Sequence, residues 1–232
     1  FHPWPVTAPR VDLVDQLRID LDPQPGTDFG DAVGAALELR QVMGELGLES
    51  YPKTSGGRGV HVFCMIEPVP FVDARHAVIA IGRELAHRMP EKVTVEWWKE
   101  LRGQRIFVDF NQMARDRLMA SPYSVRPVPQ ARVSAPLTWD ELPDVRPDDF
   151  TVVTMPQRYR EHGDVWAPLY ASKPQSIDPA LRLYELGLEQ GLTDMPYPPE
   201  YPKMPGEPPR VQPSRQKRED SEYSSPPTEG SG

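Results

Sequence analysis

The sequence is nearly devoid of cysteine, of long apolar runs and of surplus positive charge. Cys64 is the single thiol among 232 residues, which excludes an intramolecular disulfide and a multi-cysteine zinc site and fits a reducing, cytosolic setting. No stretch approaches the ~20 apolar residues of a membrane span. Nor does the chain open on the basic and apolar regions of a signal peptide; it opens Phe1-His-Pro-Trp. No membrane partner is expected, and the expected location is the cytoplasm. Lys and Arg number 26 against 34 Asp and Glu, a net charge of −8. That excludes bulk electrostatic adhesion to nucleic acid but leaves room for a local basic patch.

Proline, by contrast, is plentiful: 29 of 232 residues, against a usual ~5%. Ten of them lie between Met195 and Gly232. A stretch of that composition builds no core, so residues 193–232 read as a Pro-rich disordered tail and residues 1–192 as the folded domain. Phe1-His-Pro-Trp-Pro-Val reads as the interior of a domain, so an amino-terminal portion is expected to precede it.

Leu17-Arg-Ile-Asp-Leu-Asp22 alternates with a period of two, the mark of a strand with Leu17, Ile19 and Leu21 on one face and Arg18, Asp20 and Asp22 on the other. After Pro23 and Pro25-Gly26, Thr27 or Asp28 can cap a helix over residues 31–46 that stops at Gly47. An extended piece over 49–54 and a glycine loop, Ser55-Gly-Gly-Arg-Gly59, lead into a strand with Val60, Val62, Cys64 and Ile66 on one face. A second helix spans 73–88. Strands follow at 93–97 and 105–110, joined by a polar turn at Gly103, and a last helix starts at Asp178-Pro179. The order β-α-β-β-α-β-β predicts an α+β fold of the split βαβ, RRM-like kind: an antiparallel sheet with helices on one face and the other face open. Residues 99–132 are locally basic, with seven basic and three acidic side chains.

Carboxylates at i and i+2 of a strand stand roughly 7 Å apart on one face, a spacing that suits oxygen-loving divalent ions such as Mg²⁺ or Mn²⁺. Asp109, set in Ile-Phe-Val-Asp-Phe, can join Asp20 and Asp22 from a neighbouring strand. The alternative is that all three are solvent-facing strand residues. Thr54-Ser-Gly-Gly-Arg-Gly-Val-His61 offers close backbone amides, a hydroxyl, a guanidinium and an imidazole, a phosphate-binding set without P-loop spacing; the alternative is a glycine hairpin with His61 packed beside it. Arg115, Arg117 and Arg126 are further phosphate-clamp candidates. Trp97 and Trp98 are read as core and rim rather than base-stacking, Cys64 as packing, and His76, His87 and His162 as surface residues.

Together Arg18-Ile-Asp-Leu-Asp-Pro23, Thr54-Ser-Gly-Gly-Arg-Gly-Val-His61, Ile106-Phe-Val-Asp-Phe110, Ala120-Ser-Pro-Tyr-Ser-Val-Arg126 and Ala135-Pro-Leu-Thr-Trp-Asp-Glu-Leu142 resemble the polymerase domain of bacterial DNA ligase D. They resemble still more its stand-alone actinobacterial relatives, primase-polymerases of the archaeo-eukaryotic primase superfamily, from Phe1 to about Leu169. The resemblance implies that residues 1–192 are the carboxy-terminal part of such a catalytic domain. It further implies two divalent metals, Mn²⁺ or Mg²⁺, on Asp20, Asp22 and Asp109, and nucleotide contacts from His2, Ser55, Arg58, His61 and Arg126. The implied activity is nucleotidyl transfer onto a primer 3′-hydroxyl at DNA gaps or ends, with ribonucleotides preferred. Implied partners are nucleoside triphosphates, DNA primer-template and repair proteins such as an end-binding protein and a ligase; the implied location is the nucleoid within the cytoplasm. Many ligase D members carry lysine where Arg58 stands, and no ligase or nuclease motif is evident. The other readings are a non-catalytic nucleic-acid- or nucleotide-binding module on the same fold, which would bind without extending a primer, and a metal phosphohydrolase, which would release phosphate without one.

Overall fold

The computed structural model describes residues 1–115 and 117–196. Strand β1 (Leu13–Pro23) is central in a five-stranded sheet of order β2-β3-β1-β5-β4, with β2 (Tyr51–Thr54), β3 (Val60–Pro70), β4 (Val93–Thr94) and β5 (Ile106–Val108). Helix α1 (Phe29–Glu45) starts where the Asp28 carboxylate accepts the Asp31 amide and the Asp31 carboxylate accepts the Asp28 amide, both at 3.1 Å. This reciprocal cap satisfies two amides at the helix start. Helix α2 (Phe71–Arg88) follows β3 without a loop. Leu17, Ile19 and Leu21 of β1 and Val60, Val62, Cys64 and Ile66 of β3 are fully buried with Ala36, Leu39, Ala74, Val78 and Ile81 of the two helices. Each such aliphatic side chain contributes about 1.5–3 kcal/mol by leaving water. The alternation in the sequence therefore does what it predicts, and the helices cover one face of the sheet.

The sheet departs from the wholly antiparallel expectation at one edge. β4 pairs with β5 in parallel, Val93 opposite Ile106 and Thr94 opposite Phe107, and residues 95–105 form a crossover rather than a hairpin turn. Arg102 pins that crossover. Its guanidinium donates to the carbonyls of Glu96 and Trp97 at 3.0 and 3.1 Å and lies 3.5 Å from the centroid of the Phe107 ring. Trp97 is buried against Phe110, as core.

The opposite face is only partly open. After α3 (Met155–His162), whose Met155 joins the main core, Phe63, Met119, Trp166 and Leu169 form a second apolar cluster that sets α4 (Ala167–Ala171) over the β3 end of that face. Helix α5 (Asp178–Glu189) is capped by Ile177, so Asp178 lies inside the first turn and not at the cap. Thr193 to Pro196, which composition assigns to the tail, are bonded to α2: Arg83 donates to the Thr193 carbonyl and Arg75 to Asp194, Met195 and Pro196. The rest of the expected tail, 197–232, lies outside the described residues. Among the described residues no helix is long and apolar enough to cross a membrane.

Candidate functional site

The register of the sheet sets four polar side chains in one row. Lys53 of β2 is opposite His61 of β3, His61 is opposite Asp20 of β1, and the Asp109 amide, just past β5, donates to the Asp20 carbonyl at 2.9 Å. Opposed residues share a face, so the row crosses the sheet on the side away from α1 and α2. Asp22 stands two residues along β1 on that face.

Burial makes the row electrostatically strained. His61 Nε2 is 3.4 Å from Asp20 Oδ1, and Lys53 Nζ is 2.8 Å from His61 Nδ1. An ammonium offers only donors, so Lys53 in its charged form would make Nδ1 the acceptor and put the imidazole proton on Nε2, facing Asp20. Lys53 also donates to Ser134 Oγ, whose hydroxyl donates to the Thr54 carbonyl at 2.8 Å. Burial, then the charges of Asp109 and Asp22, holds the Asp20 carboxyl well above the usual carboxylate range. Burial, then Lys53 and Arg126, pushes His61 well below the usual imidazole value. Burial also lowers Lys53, against the attraction of Asp20. Asp22 is raised as well, by loss of solvent around its carboxyl, opposed by a 3.0 Å hydrogen bond from Gln24 and reinforced by Asp109.

The glycine loop is shaped by Ser55, whose hydroxyl oxygen accepts the amides of Gly57 and Gly59 at 3.1 Å each. Two glycines are required by space. A Cβ on Gly59 would meet the Leu21 carbonyl oxygen at 2.4 Å, and one on Gly56, at φ +70°, would meet Arg126 Cγ at 2.5 Å. The loop thus lies on the end of β1 and against Arg126. Arg58 is exposed and donates to the Pro23 carbonyl at 2.7 Å, close enough to Asp22 for its charge to lower that carboxyl.

Residues distant in sequence complete the site. Arg126 Nη1 is 3.0 Å from His2 Nε2. His2 is held on both sides: Ser121 and Ser124 donate to the Phe1 carbonyl at 3.0 and 2.9 Å, and the Arg18 guanidinium donates to the carbonyls of Pro3 and Trp4 at 2.7 and 2.8 Å. The turn before Arg126 carries Tyr123 at φ +64°, kept there by its hydroxyl on Asp164 at 2.6 Å. Strain of this kind persists only where surroundings over-determine it. All eight singled-out residues, Asp20, Asp22, Asp109, His2, Ser55, Arg58, His61 and Arg126, thus gather at one end of the sheet. Arg115 does not join them; it pairs with Asp12 at 2.6 Å. Arg117 lies with Lys99 and Arg102 around a pocket of about 160 Å³ beside Asp22 and Asp109.

Lys53, Ser134 and Arg18 are missing from the sequence-derived site. Lys53 had a signal: a five-residue loop at 55–59 closes the β2–β3 hairpin and sets Lys53 opposite His61. Arg18 had one too, its place in the alternation on the face of Asp20 and Asp22, although its carbonyl partners Pro3 and Trp4 carry no signal; Ser134 had none, because its partners are distant in sequence. His76, expected at the surface, is instead half-buried, stacked on Tyr184 at 4.1 Å and 3.5 Å from Asp194.

The carboxylates offer an all-oxygen donor set with mutual repulsion that a divalent cation would relieve, which fits Mg²⁺ or Mn²⁺. They are not gathered as a finished cage. Asp109 spends its two oxygens on the Asn111 amide and on Gln112 Nε2, each at 3.0 Å. Among the described residues no three His, Cys, Asp or Glu side chains stand close enough to share one ion as they are.

Residues 1–166 match the family described as LigD, primase-polymerase domain. The multifunctional non-homologous end joining protein LigD of Mycolicibacterium smegmatis is 34% identical over 189 residues, 81% of this chain and 24% of that protein. The bifunctional LigD of Bacillus subtilis is 31% identical over 174 residues, 74% of this chain and 28% of that protein. The chain thus spans about a quarter of the length of these relatives. Among solved structures, the polymerase domain of Mycobacterium tuberculosis ligase D in complex with DNA superimposes with a TM-score of 0.64 at 31% identity, covering 70% of this chain and 57% of that one.

Proposed function

The chain belongs to the LigD primase-polymerase domain family, and from that premise we propose that it performs metal-dependent nucleotidyl transfer, extending a primer 3′-hydroxyl at DNA gaps or broken ends during non-homologous end joining. The observation that carries this reading is the row Lys53–His61–Asp20–Asp109 with Asp22 beside it, a cationic-to-anionic gradient across a few strands of one sheet face. Asp20, Asp22 and Asp109 would hold two divalent ions, Mn²⁺ or Mg²⁺. When bound, such ions acidify an attacking hydroxyl and neutralise a triphosphate and its leaving group.

The protein's own groups supply the rest. Neutral His61 keeps a proton on Nε2 and can donate it in a hydrogen bond to a phosphate oxygen without first surrendering a charge. Ser55, its lone pairs taken by Gly57 and Gly59, retains its hydroxyl proton as a donor. Arg126 supplies a guanidinium fork suited to phosphate and Arg58 a positive charge beside it, and His2 orients Arg126. The buried Lys53 holds the His61 ring in place. The substrates are nucleoside triphosphates, ribonucleotides preferred, on a DNA primer-template; an end-binding protein and a ligase are the repair partners, and the nucleoid is the location.

The test is extension of a labelled primer across a short gap with Mn²⁺, ribonucleotides and deoxyribonucleotides in separate reactions. Extension lost in Asp20→Asn and faster with ribonucleotides supports the proposal. Nucleotide binding without any extension would instead support a non-catalytic binding module.

A further inference from the structure

Arg75 of α2 is fully buried and makes a fork of bonds that the chemistry above does not use. Its Nε donates to Asn111 Oδ1 at 3.0 Å and its Nη1 to Asp194 Oδ1 at 3.0 Å. Its Nη2 donates to the carbonyls of Met195 and Pro196 at 2.6 and 3.1 Å. The same guanidinium lies 5.2 Å from the centroid of the Phe110 ring. Asn111 closes the circuit: its Nδ2 donates to the Pro196 carbonyl at 3.2 Å and its backbone amide donates to Asp109 Oδ1 at 3.0 Å. A continuous path therefore runs from Asp194–Pro196 through Arg75 and Asn111 to the Asp109 carboxylate.

Asp109 needs such a path. It sits where the three-residue β5 ends and the short 3-10 helix Phe110–Met113 begins; its amide is tied to the Asp20 carbonyl, but that bond leaves its side chain free to turn. Its orientation comes from Asn111 and Gln112, and Asn111 is fixed in turn by Arg75 and Pro196. Of these anchors Asp194–Pro196 lie some thirty positions beyond the family match, which ends at 166.

We infer that Asp194, Arg75 and Asn111 are positioning residues for Asp109, and that the strap Asp194–Pro196 is an integral part of the candidate site. This rests on the reading of Asp109 as a metal ligand. A buried arginine clamp that only stabilised the fold would lower the melting temperature without changing how the carboxylates meet a cation.

The experiment uses the full chain and compares wild type, Asp194→Asn, Asn111→Ala, Asp109→Asn and Leu39→Ala, the last a core change remote from the site. Two quantities are read: the Mn²⁺ concentration giving half the maximal rise in melting temperature, and hydrogen exchange at the Asn111 amide. Asp194→Asn and Asn111→Ala should each raise the half-effect Mn²⁺ concentration at least fivefold. Asp194→Asn should also speed exchange at the Asn111 amide about tenfold. Leu39→Ala should lower the melting temperature and move neither. Half-effect concentrations within twofold of wild type in both variants, while Asp109→Asn loses the Mn²⁺ response, would overturn this inference and spare the site. Should Asp109→Asn itself keep the Mn²⁺ response, the metal reading fails, and unchanged Asn111 exchange in Asp194→Asn would show that the strap does not hold Asp109 either.

Discussion

Asp20 and His61 face each other across β1 and β3 with their side chains 3.4 Å apart, and burial drives both toward their neutral forms. Their pH signatures therefore have opposite signs. Unfolded Asp ionises near 3.8 while folded Asp20 keeps its proton to higher pH, so its contribution to metal-free stability is full below 3.8 and is lost as pH rises through the raised value. Unfolded His takes a proton below 6.5 while folded His61 refuses it, so its contribution is present above 6.5 and is lost as pH falls. Urea unfolding in EDTA between pH 4 and 6.5 should show stability climbing more steeply with pH in Asp20→Asn than in wild type, and less steeply in His61→Gln. A charged His61–Asp20 ion pair would move both groups the other way, below 3.8 and above 6.5, and would leave the slope between pH 4 and 6.5 unchanged in both variants.

The glycine loop gives a second prediction. Gly59→Ala places a methyl 2.4 Å from the Leu21 carbonyl, against backbone that cannot rotate away, so the fold should lose several degrees of melting temperature. Gly56→Ala meets the flexible Arg126 side chain instead, at a positive φ. It should cost about 1 kcal/mol of stability and weaken nucleotide binding by displacing Arg126. Calorimetry with a nonhydrolysable triphosphate and thermal melts separate the two effects; unchanged binding in Gly56→Ala would remove Arg126 from the phosphate contacts.

For Arg58, exposure and a single bond to the Pro23 carbonyl mean that charge matters more than fork geometry. Arg58→Lys should retain triphosphate affinity. Arg58→Ala should lose about 1.5 kcal/mol of it, the low end for a charge-assisted hydrogen bond. Equal affinity in wild type and Arg58→Ala takes Arg58 out of the site.

Truncation tests the boundary of the folded part. A chain ending after Pro196 should melt like the full one. A chain ending after Thr193 removes the Asp194 carboxylate and two carbonyls from buried Arg75 and should lose about 1–3 kcal/mol, the cost of leaving a buried donor unsatisfied. Identical melting of both chains would mean that the strap is not part of the fold.

That boundary shows what was legible in the sequence and what was not. Period-two alternation in β1 and β3 and the Asp28 cap depend on neighbouring residues, and Asp20 and Asp22 share a face because the strand period dictates it; Asp109 joins them through the pairing of β5 with β1. Asp194-Met-Pro looks like the start of a Pro-rich tail because composition cannot reveal that Arg75, 119 residues earlier, is buried and in need of acceptors. The parallel β4–β5 pair was hidden for a similar reason: Gly103 suggests a turn, but Arg102 stacked on Phe107 makes residues 95–105 a crossover. Lys53 entered the site through hairpin register, which follows only once both strand ends are known.

The central claim is that Asp20, Asp22 and Asp109 act together on a divalent cation. The most direct measurement is the rise in melting temperature produced by Mn²⁺ in wild type and in Asp109→Asn, since a ligand bound only by the folded state stabilises it by mass action. Without metal the substitution should change stability little, because relief of repulsion from Asp20 offsets the weaker acceptance of the Asn111 and Gln112 hydrogen bonds. With Mn²⁺ the wild type should gain several degrees and Asp109→Asn far less. An Mn²⁺ increment of the same size in both proteins would contradict the three-carboxylate site.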